Sequence, residues 1–386
     1  MDTKKIIEII KLGENAAVEF KSGAVRPDGI ARELVAFSNT LGGILLIGIE
    51  DNGEITGVPE HITEEWVANI VRNNLAPPIS PEITSKVINN KRIVSVEVPK
   101  GLHKPYQSLG GRFWIRVGST NRTATKEELS RLFQQAGLVH FDLAPVEGTA
   151  IKDLDPHKLN DYWSDYYDIA YLFLEESEQQ KILNNADIIV PFDTGWADSV
   201  GGLLIFGKYP QKRLPQSSII TAVFRGTDIT DELLDKKEIT GTIPELIDRS
   251  FSFVQLFVPK PSIIEGMKRS EKETIPSGVI REILVNAVSH RDYSIVNKKS
   301  SIYIFEDRIE ITSPGKLANT LTLEKIKVGN SALRNHFIIK YLDNMRYIDG
   351  LGRGIPRVIK AMGNQVIFEE IGILFRVTLF FNDPIP

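Results

Sequence analysis

Apolar positions fall at Ile6, Ile7, Ile9, Ile10 and Leu12 among charged neighbours, which predicts an amphipathic helix over residues 1 to 12. Ile30, Leu34, Val35 and Phe37 predict a second helix over 29 to 40. Gly42-Gly43 ends it, and the run Ile44-Leu45-Leu46-Ile47-Gly48-Ile49 predicts a buried strand. Asp51-Asn52-Gly53 supplies turn chemistry for a hairpin or tight connection after that strand. Lys91 to Val98 and Phe113 to Val117 read as further strands. Thr125-x-x-Glu128 reads as a capping box opening a helix through Phe133. Residues 1–140 therefore form one α/β unit.

From 141 to 270 the pattern is mixed. A loop surrounds Pro145, an aromatic-rich helix runs from Asp155 to Leu174, and strands fall near Gly202 to Phe206 and Ser218 to Phe224. No catalytic pattern stands out, so this stretch reads as a connecting domain. The polar sequence Lys268-Arg269-Ser270-Glu271-Lys272-Glu273 marks a boundary or mobile loop. Beyond Pro276, Val279 to Ser289 is strongly helical, and strands Ser301 to Glu306 and Arg308 to Thr312 join at Asp307. Gly350-Leu351-Gly352-Arg353-Gly354 leads into a helix from Ile355 to Met362, and a last strand spans about Leu374 to Phe381. The expected architecture is α/β (α+β) in three parts, 1–140, 141–270 and 271–386.

The length, 386 residues, is enough for two or three domains, and 42% hydrophobic with 25% charged residues is ordinary for a soluble protein. The absence of cysteine excludes disulfides, zinc fingers and thiol catalysis. No apolar run approaches the ~18 to 20 residues of a membrane span, and no apolar stretch follows Lys4-Lys5 as a signal peptide would require. A cytoplasmic protein without a membrane partner is expected. Residues 84 to 131 hold 10 Lys+Arg against 3 Asp+Glu. That excess suits a phosphate backbone and equally a solvated basic face. Lys21, Lys91, Arg92, Lys104, Arg112, Arg116 and Arg122 are the candidate contacts to DNA or RNA.

Glu282 and Asn286 lie four residues apart in a predicted helix and so share one face, with His290 next in line. An amide oxygen, phosphates and water suit Mg²⁺, and a carboxylate one turn away can orient or deprotonate a water. The Gly350-to-Gly354 loop runs into a helix N-terminus, where free N–H groups favour phosphate. Two other patterns lack their partners. His290-Arg291-Asp292 with Asn297 has no accompanying V-A-I-K or D-F-G for a kinase. Phe192-Asp193-Thr194-Gly195 has no second aspartate motif for an aspartic protease and reads as a turn. No G-x-x-x-x-G-K-[ST] sequence exists, which leaves P-loop motor chemistry without a site.

Glu282-x-x-x-Asn286-Ala287 resembles the N-box of the GHKL ATPases, which include gyrase B, MutL and the sensor histidine kinases. Ser313-Pro314-Gly315 is similar to that family's first glycine box, and Asp349 to Ile355 to its second. With His290-Arg291-Asp292-Tyr293, the variant resembles the C-terminal domain of RecG-related proteins. The resemblance implies ATP and Mg²⁺ as ligands, Glu282 as general base and Asn286 as magnesium contact. It further implies that His290, Ser313, Gly315, Gly350, Gly352, Arg353 and Gly354 surround the nucleotide. Where the family usually places an aspartate against the adenine amino group, this chain has Ser313, a weaker acceptor.

Glu14-x-x-x-x-Glu19-Phe20-Lys21, Ala36 to Gly43, Leu46 to Asp51 and Phe113 to Asn121 resemble, in order, the Schlafen-type AlbA domain. That resemblance implies a nucleic-acid-associated module, and together the two imply an ATP-binding regulator or defence effector with weak ATP hydrolysis. In Schlafen nucleases three carboxylates hold a divalent cation, and Glu14, Glu19 and Asp51 fall at matching places. Metal-dependent cleavage, nucleic-acid binding without cleavage and a protein-interaction role all stay open. Those nucleases close a cleft between two lobes; with one lobe here, a homodimer would supply the equivalent groove.

Overall fold

The computed structural model describes residues 2–101, 103–259, 262–265, 268–271, 273–317, 321–350 and 352–382. The chain divides into two compact units, Met1–Val139 and His140–Pro386.

In the first unit, α1 (Thr3–Leu12) buries Ile6 and Ile9, the two positions its charged neighbours leave on one face. Strand β1 (Val18–Lys21) runs parallel to β2 (Gly43–Ile47), and α2 (Pro27–Asn39) makes the crossover between them. Pro27 opens α2 where a missing N–H costs nothing, and Asp28 sits in the first turn. After α3 (Glu64–Asn74), strands β4 (Glu82–Ile88) and β5 (Lys91–Val98) complete a sheet of order β1-β2-β5-β4. The period of two sends Leu45, Ile47, Val94 and Val96 to a core shared with α2 and α3. Leu46 and Ile93 go to the other face, against Ile6, Ile9 and Phe20. Short strands β3 (Leu75–Ala76) and β6 (Gln107–Ser108) pair beside it, and the hairpin β7 (Trp114–Val117)–β8 (Thr120–Thr123) packs on α2. Helix α4 (Lys126–Gln135) begins at the expected capping box, with Thr125 and Glu128 each accepting the other's backbone N–H.

The second unit starts with α5 (Pro156–Tyr167), α6 (Glu176–Asn185), the hairpin β9 (Ile189–Phe192)–β10 (Gly195–Asp198) and α7 (Val200–Phe206). Its sheet comprises β11 (Ile219–Arg225), β12 (Glu232–Ile239), β15 (Ser300–Ile304), β16 (Arg308–Pro314), β17 (Val366–Ile371) and β18 (Leu374–Phe380). They lie in the order β12-β11-β15-β16-β18-β17, and of these pairings only β11–β15 is parallel. Between the strands come α8 (Ile243–Phe257), the hairpin β13 (Ser262–Glu265)–β14 (Lys268–Glu271), α9 (Ser277–Ser289), α10 (Leu323–Lys327), α11 (His336–Asn344) and α12 (Gly354–Met362). One core joins Leu203, Phe206, Ile219, Leu246, Ile280, Ile302, Leu342 and Leu379.

Four expectations change. Residues 141–270 are no connecting domain: β11 hydrogen-bonds β15 within one sheet, and α7 and α8 share a core with α9. Gly202 to Phe206 is helical, because Ser199 caps Gly202 N–H and the helix is buried on every side, which erases its periodicity. The aromatic helix stops at Tyr167, where Asp168 turns left-handed at φ 53°. Of the polar stretch expected as a boundary, Lys268–Glu271 is a hairpin strand, and Lys272 lies outside the described residues.

Candidate functional site

Helix α9 buries Val279, Ile280, Ile283, Leu284 and Val288 and leaves Glu282, Asn286 and His290 half-buried along one stripe. The Asn286 amide donates to Glu282 Oε1 at 2.8 Å, so its oxygen is the atom left for another partner. Strand β16 adds Ile311 and Ser313, whose cross-strand neighbours on β18 are Val377 and Phe375. These groups line one cavity of about 990 Å³, counting the space at its open mouth. Segments far apart in sequence meet there, since Gly315, Gly352 and Gly354 line it as well.

Two glycines are crowded by neighbouring side chains. A Cβ on Gly354, the first residue of α12, would lie 1.7 Å from Glu282 Oε1, so a side chain there would push that flexible carboxylate aside. Gly315 has φ +119°, and a Cβ there would lie 2.1 Å from Arg334 Nη1. Of the second glycine loop, Gly350 is not among the lining residues, and Leu351 lies outside the described residues. Arg353 also stays out of the lining and pairs with Asp349 at 3.0 Å, beside Arg357 at 3.1 Å.

The Ser313 hydroxyl donates to the Ala287 carbonyl at 2.6 Å. Desolvation, with Arg334 nearby, pushes the His290 imidazole down to about 4, so it is neutral near pH 7. Arg334 and Lys316 also line the cavity, although sequence reasoning passed them over. Arg334 donates to the His290 carbonyl at 2.9 Å and to that of Lys316. Among the described residues no carboxylate lies within 4 Å of it. Only its position two residues before α11 could have suggested it, which is a weak signal. The kinase-like Arg291 is buried and donates to the carbonyls of Asp292, Ile295 and Lys298, so it organises a loop. Asp193, at φ 52°, turns the β9–β10 hairpin.

The carboxylates of the first unit are arranged differently. Glu19 and Glu33 are buried. Arg116 contacts Glu19 at 2.8 Å and Glu33 at 3.6 Å, and Lys21 pairs with Glu19 and, at 3.7 Å, with Glu33. Asn121 donates to Glu33. Glu14 accepts the Phe20 N–H at 2.8 Å. Burial raises its pKa, the N–H bond lowers it, and Glu19 and Asp51 raise it further. Asp51 itself is exposed at the turn after β2. The three expected metal ligands thus share a neighbourhood, but no group of three or more His, Cys, Asp or Glu among the described residues is arranged to hold a metal. The physical reason is that Glu19 faces Lys21 and Arg116. Glu33, which sequence reasoning missed, completes that network.

Of the expected nucleic-acid contacts, Arg116 and Lys104 are buried. The Arg116 guanidinium donates to the carbonyls of Asn15, Ala16 and Val18, and Lys104 Nζ donates to that of Thr40. Neither can present its charge to a partner's surface, because both serve the interior of the unit. Arg122 is held by Glu128 in two bonds of 2.7 Å. Lys91 donates to Ile55 O, and Arg92 to the carbonyls of Pro59 and Glu60. Arg112 is exposed.

Residues 14–125 match the family model described as "Schlafen, AlbA_2". Residues 297–379 match the one described as "Putative ATP-dependent DNA helicase recG C-terminal". The second match includes Ser313 and Gly315 but starts after α9. An uncharacterized protein of Haemophilus influenzae is 34% identical over 117 residues, 29% of this chain. The chain covers 27% of that relative's length. The DIP2311 protein from Corynebacterium diphtheriae is a solved structure with a TM-score of 0.48 at 22% identity, over 95% of this chain and 75% of its own. The N-terminal domain of a RecG-related protein from Nitrosomonas europaea has a TM-score of 0.24 at 22% identity, over 32% of this chain and 94% of its own. No helix among the described residues is long and apolar enough to cross a membrane. The chain thus matches the Schlafen AlbA_2 model within its first unit and the recG C-terminal model within its second.

Proposed function

We propose that the second unit binds Mg²⁺-ATP in the cavity beside α9 and that the chain is a nucleic-acid-associated regulator answering to that nucleotide. The observation that carries this reading is the convergence of Glu282, Asn286, Ser313, Gly315, Gly352 and Gly354 on one cavity. Asn286, its NH₂ engaged by Glu282, would offer its amide oxygen to magnesium. Glu282 would orient a water, and the start of α12 would face the phosphates with its free N–H groups. Arg334 and Lys316 would add positive charge to the cavity. The excess of Lys and Arg over residues 84 to 131 supports association with DNA or RNA, through exposed cations such as Arg112.

Ligand that binds only the folded state raises stability by mass action, by about 2.7 kcal/mol at a hundred times the dissociation constant. Mg-ATP is expected to raise the melting temperature of the wild type, and Asn286→Ala to abolish the rise. A variant that keeps the full shift would refute the role given to Asn286.

A further inference from the structure

We propose that this site is tolerant of the base and takes purine nucleoside triphosphates with a carbonyl at the six position about as well as those with an amino group. The inference rests on the nucleotide reading of the cavity. Strong selection of an amino-bearing base comes from a buried acceptor that a carbonyl-bearing base would leave unpaired. Glu282 is the one carboxylate among the described lining residues, and it is engaged by Asn286 and abuts the start of α12.

On the sheet floor, the polar group is Ser313, set among Ile311, Val377 and Phe375. Its proton goes to the Ala287 carbonyl, so it offers neutral lone pairs to an amino group. By rotating, the same hydroxyl can donate to a carbonyl oxygen instead. Beside it, Arg334 packs against Gly315 and bears five N–H donors, two of which are used on backbone carbonyls. Donor-rich surroundings do not reject a carbonyl-bearing base. Discrimination of about 10⁴-fold or more arises where a mismatched ligand strands a buried polar partner, while apolar walls reject a near-isostere by only about 10²-fold at most. A single switchable hydroxyl falls at the low end.

The test is isothermal titration of the full chain with ATP, GTP and ITP, each with Mg²⁺. Dissociation constants within about tenfold of one another are expected. ATP binding more than tenfold tighter than both others overturns the base tolerance while leaving the nucleotide site standing. Failure of all three to bind overturns the nucleotide reading and this inference with it. Ser313→Asp adds the missing carboxylate and is expected to move the ATP-to-GTP ratio at least tenfold toward ATP. An unchanged ratio in a folded variant places Ser313 away from the base and overturns the proposal. If that variant does not fold, the wild-type ratio decides.

Discussion

Both units put carboxylates beside cations, but the two arrangements balance their charge in opposite ways. In the first unit, Glu19 and Glu33 face Lys21 and Arg116, and the guanidinium also holds three backbone carbonyls. That network is closed, and its members sustain one another inside the fold. In the second, Glu282 accepts from the Asn286 amide and Arg334 donates to two backbone carbonyls with Asp292 and Glu370 nearby; among the described residues neither has an ion pair within 4 Å, yet both line a cavity. Glu282 is thus left without a paired cation among the described residues. A carboxylate in a promising motif is therefore informative only once its neutralising partner is known.

The largest effect expected from this contrast is on stability. Arg116→Ala would leave two buried carboxylates short of a cation and should destabilise the first unit by about 3–5 kcal/mol. Urea unfolding, with amide exchange in β1 and β2 as the local reporter, measures it. A loss below about 1 kcal/mol would open the closed network to a functional reading. Asn286→Ala, by contrast, should change intrinsic stability by less than about 1 kcal/mol while losing the nucleotide shift.

A smaller effect is expected at the start of α12. Gly354→Ala drives a methyl group into the space of Glu282 Oε1 and should weaken Mg-ATP binding by about tenfold, or roughly 1.4 kcal/mol. Titration that finds unchanged affinity would mean the carboxylate can move without consequence. Smallest is the surface term. Arg112→Glu should weaken binding to a short oligonucleotide a few-fold and reduce the salt slope by about one. Equal slopes for variant and wild type would remove Arg112 from the interface.

Much of the fold could be read along the chain. Local signals set α1, α2, β2, β5, α9, β15, β16, α12 and the capping box at Thr125 close to where they lie. Helix α8 was legible but passed over, since Thr242-x-x-Glu245 is a capping box of the same kind. Helix α7 was not legible, because burial on all sides leaves no polar face to reveal a period. The stripe of Glu282, Asn286 and His290 was legible because four-residue spacing is a local property of a helix. Arg334 was not, because its place in the cavity comes from packing against Gly315.

By itself the sequence determined which residues share a helix face, where turns and caps fall, and which chemistries have no residues to carry them. Those are matters of spacing and side-chain type within a few residues. Only the tertiary structure decided that 141–270 and 271–386 are one body, through the β11–β15 pairing. It likewise decided that Glu19 is neutralised while Glu282 is not. Charge pairing depends on groups that approach in space from distant positions, such as Glu19 and Arg116, and no local pattern records that approach.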